Sequence, residues 1–423
     1  MKSKIYYGWW VVLSMIPANL VHAGAMFYIF GIFYDPLLTA FGWNRSQVAT
    51  ALSVYLVTMG FSAPVAGRLT DRFGPRKLIG IGAFIGGIAF FLISRITSLW
   101  QFYLLYFIQG MAFAGCGLVP VTTALANWFD KKRGTAIGIA MTGISLGAIT
   151  ITPVGGLVLE HFGWQTTYLF LALISWFLVL PPVIFVMRDR PEQMGLFPDG
   201  MGPQSNLIDE TGHTVDRIED KITDKSWKPG QAIRSVHFWL ISMSYLIIHI
   251  SFGSILTHQI VYLTDKGISM ASAAVALALT GGIGGAGKLF FGYISDKSSP
   301  RLVAPLCAAL QAIGIVLLLL TNSMAMVWVS AVVFGFCMGG HAAIIPVVVG
   351  YIFGVGSFGT IYGMISIFSA MGIAIAPILA GVAYETLGNY FLIFSGCILA
   401  SVFAAILLFW SIASISKKNM VIG

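Results

Sequence analysis

The chain has 423 residues, 57% of them hydrophobic and 9% charged, with a formal charge of +8. Soluble domains carry roughly 25% charged residues, so this composition excludes an ordinary soluble protein and points to one built to sit in a bilayer. In that setting the positive balance reflects Lys and Arg retained on one side of the membrane, and no nucleic-acid partner is expected.

A helix needs roughly 20 apolar residues to cross a membrane, and twelve runs meet that length: 8–34, 47–69, 78–96, 100–128, 134–159, 165–187, 237–262, 270–294, 302–320, 326–353, 358–384 and 390–412. The first follows Lys2 and Lys4 and is too long for a signal-peptide core, so it is expected to be retained as the first span. Lipid offers no partner to backbone groups, which makes helices the expected form throughout. The 48 glycines suit close helix–helix packing. If both termini are cytoplasmic, twenty of the 24 Lys and Arg residues fall in the tails and cytoplasmic loops. Only Arg45, Arg95 and Lys266 then face outward, with Lys288 inside a span. The expectation is a multi-pass protein of a bacterial cytoplasmic (inner) membrane with both ends cytoplasmic.

Between the sixth and seventh spans, residues 188–236 are rich in Asp, Glu, Lys, Gly and Pro and poor in aromatics. Such a stretch cannot bury a core. It is expected to be a cytoplasmic linker between a first bundle, 1–187, and a second, 237–423, with a short amphipathic helix near Ile218–Ile222. The four cysteines, Cys116, Cys307, Cys337 and Cys397, lie in apolar runs without metal-ligand or CxxC spacing and are expected as small core residues.

The halves repeat. GRLTDRFGPRK (Gly67–Lys77) aligns with GYISDKSSPRL (Gly292–Leu302), placing Gly67, Asp71, Pro75 and Arg76 on Gly292, Asp296, Pro300 and Arg301. The same offset places Gly134, Gly138, Glu160 and Gly163 on Gly359, Gly363, Glu385 and Gly388. The fold class expected is therefore all-α, with twelve transmembrane helices in two six-helix bundles related along the membrane normal. Repeats of this kind bind substrate near the midplane between the halves.

GGIGGAGKLFFGYISDK (Gly281–Lys297) sets one lysine, Lys288, among glycines and large apolar residues. Lys288 lies about 12 Å along the helix from Asp296, close to mid-membrane. An intramembrane ionisable group is a functional candidate by default. The dull alternative is a side chain stretched to the water edge, which the surrounding glycines argue against. Every Asp and Glu falls in a loop or near a span end, Asp35 at the outer end of the first span included, so no protein counter-charge is visible. Burial without one disfavours the ammonium form, and a diffusible carboxylate would restore it. Lysine offers a point charge in place of the arginine fork, so it is less demanding of carboxylate geometry.

The G-x-L-x-D-R-x-G-x-R-K pattern at Gly67–Lys77, its degenerate copy at Gly292–Arg301, twelve spans and a long central loop together resemble the major facilitator superfamily. WFDKKRGTAIGIAMTGISLG (Trp128–Gly147) resembles the monocarboxylate porter pattern entering the fifth span. YYGWWVV (Tyr6–Val12) is similar to that family's opening signature without its acidic residue, and RDRPEQMGLFPDG (Arg188–Gly200) is similar to the segment after the sixth span in bacterial members. The resemblance extends to the related oxalate–formate exchangers. It implies that Lys288 stands where an eighth-span cation, usually arginine, holds substrate carboxylate. It implies a cavity-lining role for His258 of the seventh span and a substrate contact for Tyr28 of the first. It also implies that Gly67, Asp71, Arg72, Arg76, Asp296 and Arg301 form cytoplasmic gate motifs linking helices between the halves. Two departures are plain. The second cation of the oxalate pattern falls at about Ser369, and the aspartate that proton-coupled animal members place one turn before the eighth-span cation falls on Gly284 and Gly285.

His341, after the glycines of FGFCMGGHAAIIP, and Tyr362 are further cavity candidates. Histidine titrates near neutrality, so His258 and Lys288 are the candidate proton carriers. His22 and His249 are expected to be structural, and Asn127 to belong to the gate. HExxH, GxSxG, Walker A and EF-hand patterns are absent. No enzyme activity, cofactor or metal site is expected. The expected function is secondary transport of a small monocarboxylate of the lactate, pyruvate or acetate type, moved with a proton by rocking of the halves, the protein acting as a monomer. The alternative is an exchanger or exporter of other carboxylates, oxalate–formate type or larger acids. A ligand-sensing membrane receptor is the reading from a different class. It would need a signalling domain, where the stretch after Ile412 is a short basic stub.

Overall fold

Long apolar runs must pair their own backbone groups in lipid, and they do so here as helices. The computed structural model describes residues 5–199 and 226–420. The amphipathic helix expected near Ile218–Ile222 lies outside the described residues. The spans are α1 (8–41), α2 (Arg45–Phe73), α3 (Pro75–Ile93), α4 (Leu99–Trp128), α5 (133–162), α6 (164–185), α7 (Val236–Asp265), α8 (Met270–Lys297), α9 (Pro300–Leu319), α10 (Met324–Phe353), α11 (Phe358–Leu387) and α12 (Tyr390–Met420). Among the described residues the one β feature is an isolated bridge between Phe129 and Asp199.

The first span is longer and less regular than expected. It runs as an α-helix to Ala18, a π turn over Asn19–Ala25, and short helical pieces to Phe41. Pro17 withdraws an amide donor and crowds the preceding turn, and the widened turn follows directly. A second π turn, Ser175–Val179, precedes Pro181 and Pro182 of α6, which leave the carbonyls of Phe177 and Leu178, one turn earlier, without α-helical donors. The fifth and sixth spans are continuous except at Gly163, whose φ of 81° turns the chain back on itself. Only glycine adopts that φ at no steric cost. The α2 start is fixed by Asn44 and Gln47, each side chain closing on the other's backbone amide at 2.8 and 2.9 Å.

The chain is an all-α membrane protein of two six-helix bundles. In the first, α1 packs on α5, α2 on α4, and α3 on α4 and α6. In the second, α7 packs on α11, α8 on α10, and α9 on α10 and α12. Apolar clusters fill each half, the second half's also taking in Ala63, Val119 and Ala126 of the first, while Phe61, Phe177, Phe185, Leu399 and Trp410 lie exposed on the outside, as a lipid-facing surface requires. The halves meet along α2–α11 and α5–α8. The end of the molecule that carries the 67–77 and 292–302 segments is called the motif end below.

Candidate functional site

The two contacts between halves are built alike. A β-carbon on Gly67 would overlap the Gly359 carbonyl, and one on Gly292 would overlap the Gly134 carbonyl. Higher up, a β-carbon on Gly363 would strike the Ala63 carbonyl, and one on Gly138 the Lys288 carbonyl. Glycine at these positions lets two backbones touch, as small residues do at membrane helix interfaces.

Asp71 of α2 and Asp296 of α8 lock the motif end of these contacts. The first-turn amides of a helix have no partner inside it and carry its positive dipole end. Asp71 accepts from the Gly359 and Thr360 amides of α11 at 2.9 and 2.8 Å and from the Thr360 hydroxyl at 2.6 Å. Asp296 accepts from the Gly134 and Thr135 amides of α5 at 2.7 Å each and from the Thr135 hydroxyl at 2.5 Å. The partners of the two aspartates are thus helix N-termini of the opposite half, while the neighbouring arginines turn elsewhere. Arg72 lies over the Phe73 ring and Arg301 over Phe409, both at 5.1 Å. Arg76 donates to the carbonyls of Val183 and Ile184, and its amide donates to Asp189 at 2.7 Å.

Lys288 is 5% exposed, in the interior between the halves. Its Nζ donates to the Ser145 hydroxyl of α5 at 2.9 Å, and no carboxylate among the described residues lies within ion-pair reach. Magnitudes show what is missing. Removing an ammonium from water costs several kcal/mol even after relaxation, on the order of 5. A hydrogen bond involving a charged group returns about 1.5–3 kcal/mol. One serine returns part of that cost and supplies no counter-charge, so an anion beside Lys288 would stabilise its ammonium.

His341 is 4% exposed, and both of its ring nitrogens are buried without a hydrogen-bond partner. Its ring stands edge-on to Tyr245 of α7 at 6.2 Å, and the Tyr245 hydroxyl also has no partner. Counted along the helices, His341 lies about 18 Å and Lys288 about 13 Å from the motif end, a similar depth. His258 is elsewhere. It lies about 33 Å along α7, half-buried against Tyr390, whose hydroxyl is 3.1 Å from its Nδ1. The structure does not bring it to Lys288. Tyr362 is buried in the second-half core against Phe358, near the motif end of α11. Tyr28 falls in the helical piece Met26–Ile29, and its side chain lies outside the described residues.

His22 bonds Ser175 at 2.9 Å, and Ser175 donates to the Ala83 carbonyl. His249 bonds the Tyr245 carbonyl at 2.7 Å. Both are held within their own half. An apolar recess between α2 and α11, lined by Leu56, Phe61, Ile367 and Met371, has no polar group to orient an anion.

Several contributors escaped the sequence. Ser145, Thr135 and Thr360 are ordinary helix residues by composition. Asp199, beyond α6, accepts from the amides of Asp130, Lys131 and Lys132 and so ties the 186–199 segment to the turn before α5. Tyr6 braces the same region through the Trp128 and Phe197 carbonyls. Burial, with the Asp199 and Glu192 carboxylates nearby, raises its phenol above the usual value and keeps it a donor. Asn127 joins this segment through the Asp189 carbonyl at 3.2 Å. The repeat alone does not single out Ser145, since the offset that sets it on Ala370 also sets Thr142 on Ile367.

A model of the Major Facilitator Superfamily matches residues 15–297 and 283–419. The chain belongs to the Major Facilitator Superfamily. Among relatives, it is 25% identical to "Monocarboxylate transporter 12" of Rattus norvegicus, over 98% of this chain and 87% of that one. It is 24% identical to the "Oxalate:formate antiporter" of Oxalobacter formigenes, over 84% of this chain and 80% of that one. By structure it resembles the E. coli fucose:proton symporter FucP, with a TM-score of 0.64 and 15% identity over 96% of this chain and 98% of the other. It also resembles the proton:xylose symporter XylE, with a TM-score of 0.68 and 14% identity over 97% and 95%. At those identities the two structures speak to the fold alone. This Major Facilitator Superfamily member is a multi-pass membrane transporter, and a feature its fold does not explain is a buried lysine with no acid in ion-pair reach among the described residues.

Proposed function

We propose that the chain carries small monocarboxylates of the lactate or pyruvate type, with a proton, by alternating access between its halves. The observation that carries this reading is Lys288: an interior cation, held by one serine and lacking a carboxylate partner among the described residues. A substrate carboxylate supplies the missing charge. Its binding couples to the proton balance of the site, because a neighbouring anion strengthens the hold of Lys288 on its proton. The names of the two relatives support a carboxylate cargo, and Ser369 in place of a second cation supports one carboxylate over two.

His341 lines the site on the second-half side as a hydrogen-bond partner for substrate. Asp71 and Asp296 hold the motif end shut in the state seen here, and that end faces the cytoplasm of a bacterial inner membrane. Release of both caps lets the halves rock the other way.

Uptake of labelled lactate into proteoliposomes, with and without an imposed inward proton gradient, tests the coupling. Acceleration by the gradient supports symport. Uptake indifferent to the gradient but dependent on internal anion replaces it with exchange, the second reading, which the likeness to an oxalate:formate antiporter favours.

A further inference from the structure

The constant offset that relates the halves also superposes their two contact surfaces. Gly67 on Gly359 corresponds to Gly292 on Gly134. Gly363 on Ala63 corresponds to Gly138 on Lys288. Gly60 against Ala370 corresponds to Gly285 against Ser145. The glycines match at every step, and so do the aspartate caps. Among these matched glycine contacts, charge and hydroxyl enter at one pair: Ala63 and Ala370 on the α2–α11 side become Lys288 and Ser145 on the α5–α8 side. A lysine alone would be a charge placed for substrate. A lysine together with a hydroxyl on the facing helix is a two-residue polar device set into an otherwise apolar, repeated surface.

The hydroxyl is placed to act. Ser145 is 4% exposed, and its Oγ accepts from Lys288 at 2.9 Å. Among the described residues it donates no hydrogen bond, so its own hydrogen is uncommitted. A serine hydroxyl is both acceptor and donor and rotates freely between the roles. Gly285 leaves it room, since a β-carbon there would come within 3.2 Å of the Ser145 Cβ and 3.4 Å of its Oγ.

We propose that Ser145 is a second carboxylate-contacting residue of the transport site, supplied by the opposite half from Lys288. Without substrate it accepts from the Lys288 ammonium and keeps it in place. When a carboxylate arrives, the hydroxyl turns and donates to one anion oxygen while Lys288 pairs with the carboxylate. The anion then touches α5 and α8 at once, and its binding bridges the interface that must part during rocking. This rests on the carboxylate reading above and names the partner of its lysine.

The test is equilibrium binding of radiolabelled lactate and pyruvate to the full-length protein in lipid nanodiscs, with thermal unfolding of each variant as the folding control. Ser145→Ala is expected to bind about tenfold more weakly, the scale of one lost hydrogen bond to a charged group. Its packing is already tolerated, since the other half has Ala370 at the equivalent place. Ser145→Thr, which keeps the hydroxyl, is expected to bind within about threefold of the native protein on the same scale. Ser145→Asp fixes a carboxylate beside the ammonium and is expected to abolish binding with no loss of thermal stability. Wild-type binding by both Ser145→Ala and Ser145→Asp, with binding lost in Lys288→Ala, overturns the role of Ser145 and leaves the carboxylate reading standing. Failure of Ser145→Thr to bind, with a lowered unfolding temperature in both Thr and Ala variants, makes Ser145 structural and also overturns it. Undiminished binding by Lys288→Ala, or none by the native protein, removes the carboxylate reading and this proposal together.

Discussion

The Asp71 carboxylate accepts from both the amide and the hydroxyl of Thr360, so a residue of one half completes the first turn of a helix in the other. Asp296 does the same for Thr135 in the opposite sense. Two equivalent caps at one end, one for each interface, make that end a pair of latches. Among the described residues neither carboxylate forms an ion pair with an arginine.

Asparagine at either aspartate keeps the shape and removes the charge. Each change is expected to shift the balance between joined and separated motif ends by about tenfold, the equivalent of losing roughly 1.4 kcal/mol. Spin labels on cysteines at the exposed positions Lys131 and Lys297 would report it, since the four native cysteines are buried. The short-distance population should fall in Asp296→Asn. An unchanged distance distribution would show that the caps do not hold the halves together.

Glycines on one helix should respond differently to the same change. Gly292 of α8 lies against the Gly134 carbonyl, whereas Gly282, three turns away on α8, faces open space. Gly292→Ala is expected to lower the unfolding temperature and transport together. Gly282→Ala should be neutral or stabilising by about 0.5–1 kcal/mol through helix propensity. Equal effects from both variants would argue that backbone contact between α5 and α8 carries no energy.

His341 joins function to a stability cost. A buried polar group left without a partner costs about 1–3 kcal/mol, and both of its ring nitrogens are in that condition. His341→Phe is expected to raise thermal stability while lowering carboxylate uptake at least tenfold, one hydrogen bond's worth of binding. A variant that loses stability and keeps uptake would place His341 in the packing alone.

The fold was largely legible because lipid leaves few options. Apolar length marked the spans, and the recurrence of Gly67 and Asp71 at Gly292 and Asp296 marked the repeat. Helix irregularities were less visible. The π turns of α1 and α6 depend on where a withdrawn donor is absorbed, which a proline signals only approximately. The partners of Asp71 and Asp296 were not legible for a plain reason: charged neighbours are written in the sequence, whereas unpaired amides at a helix start appear only once two helices meet. The depth of His258 was not legible, because span membership fixes neither depth nor which side of a helix faces inward. Lys288 itself was readable, since few residues but a functional one would set a charge among those glycines. Its serine became visible only through the α5–α8 contact.

The central claim is that a substrate anion completes the charge of Lys288. Uptake of labelled lactate by Lys288→Ala, in proteoliposomes matched to native protein for amount inserted and for unfolding temperature, tests it most directly. Uptake is expected at the level of empty liposomes, with partial recovery in Lys288→Arg. Uptake by the alanine variant at the native rate would contradict it.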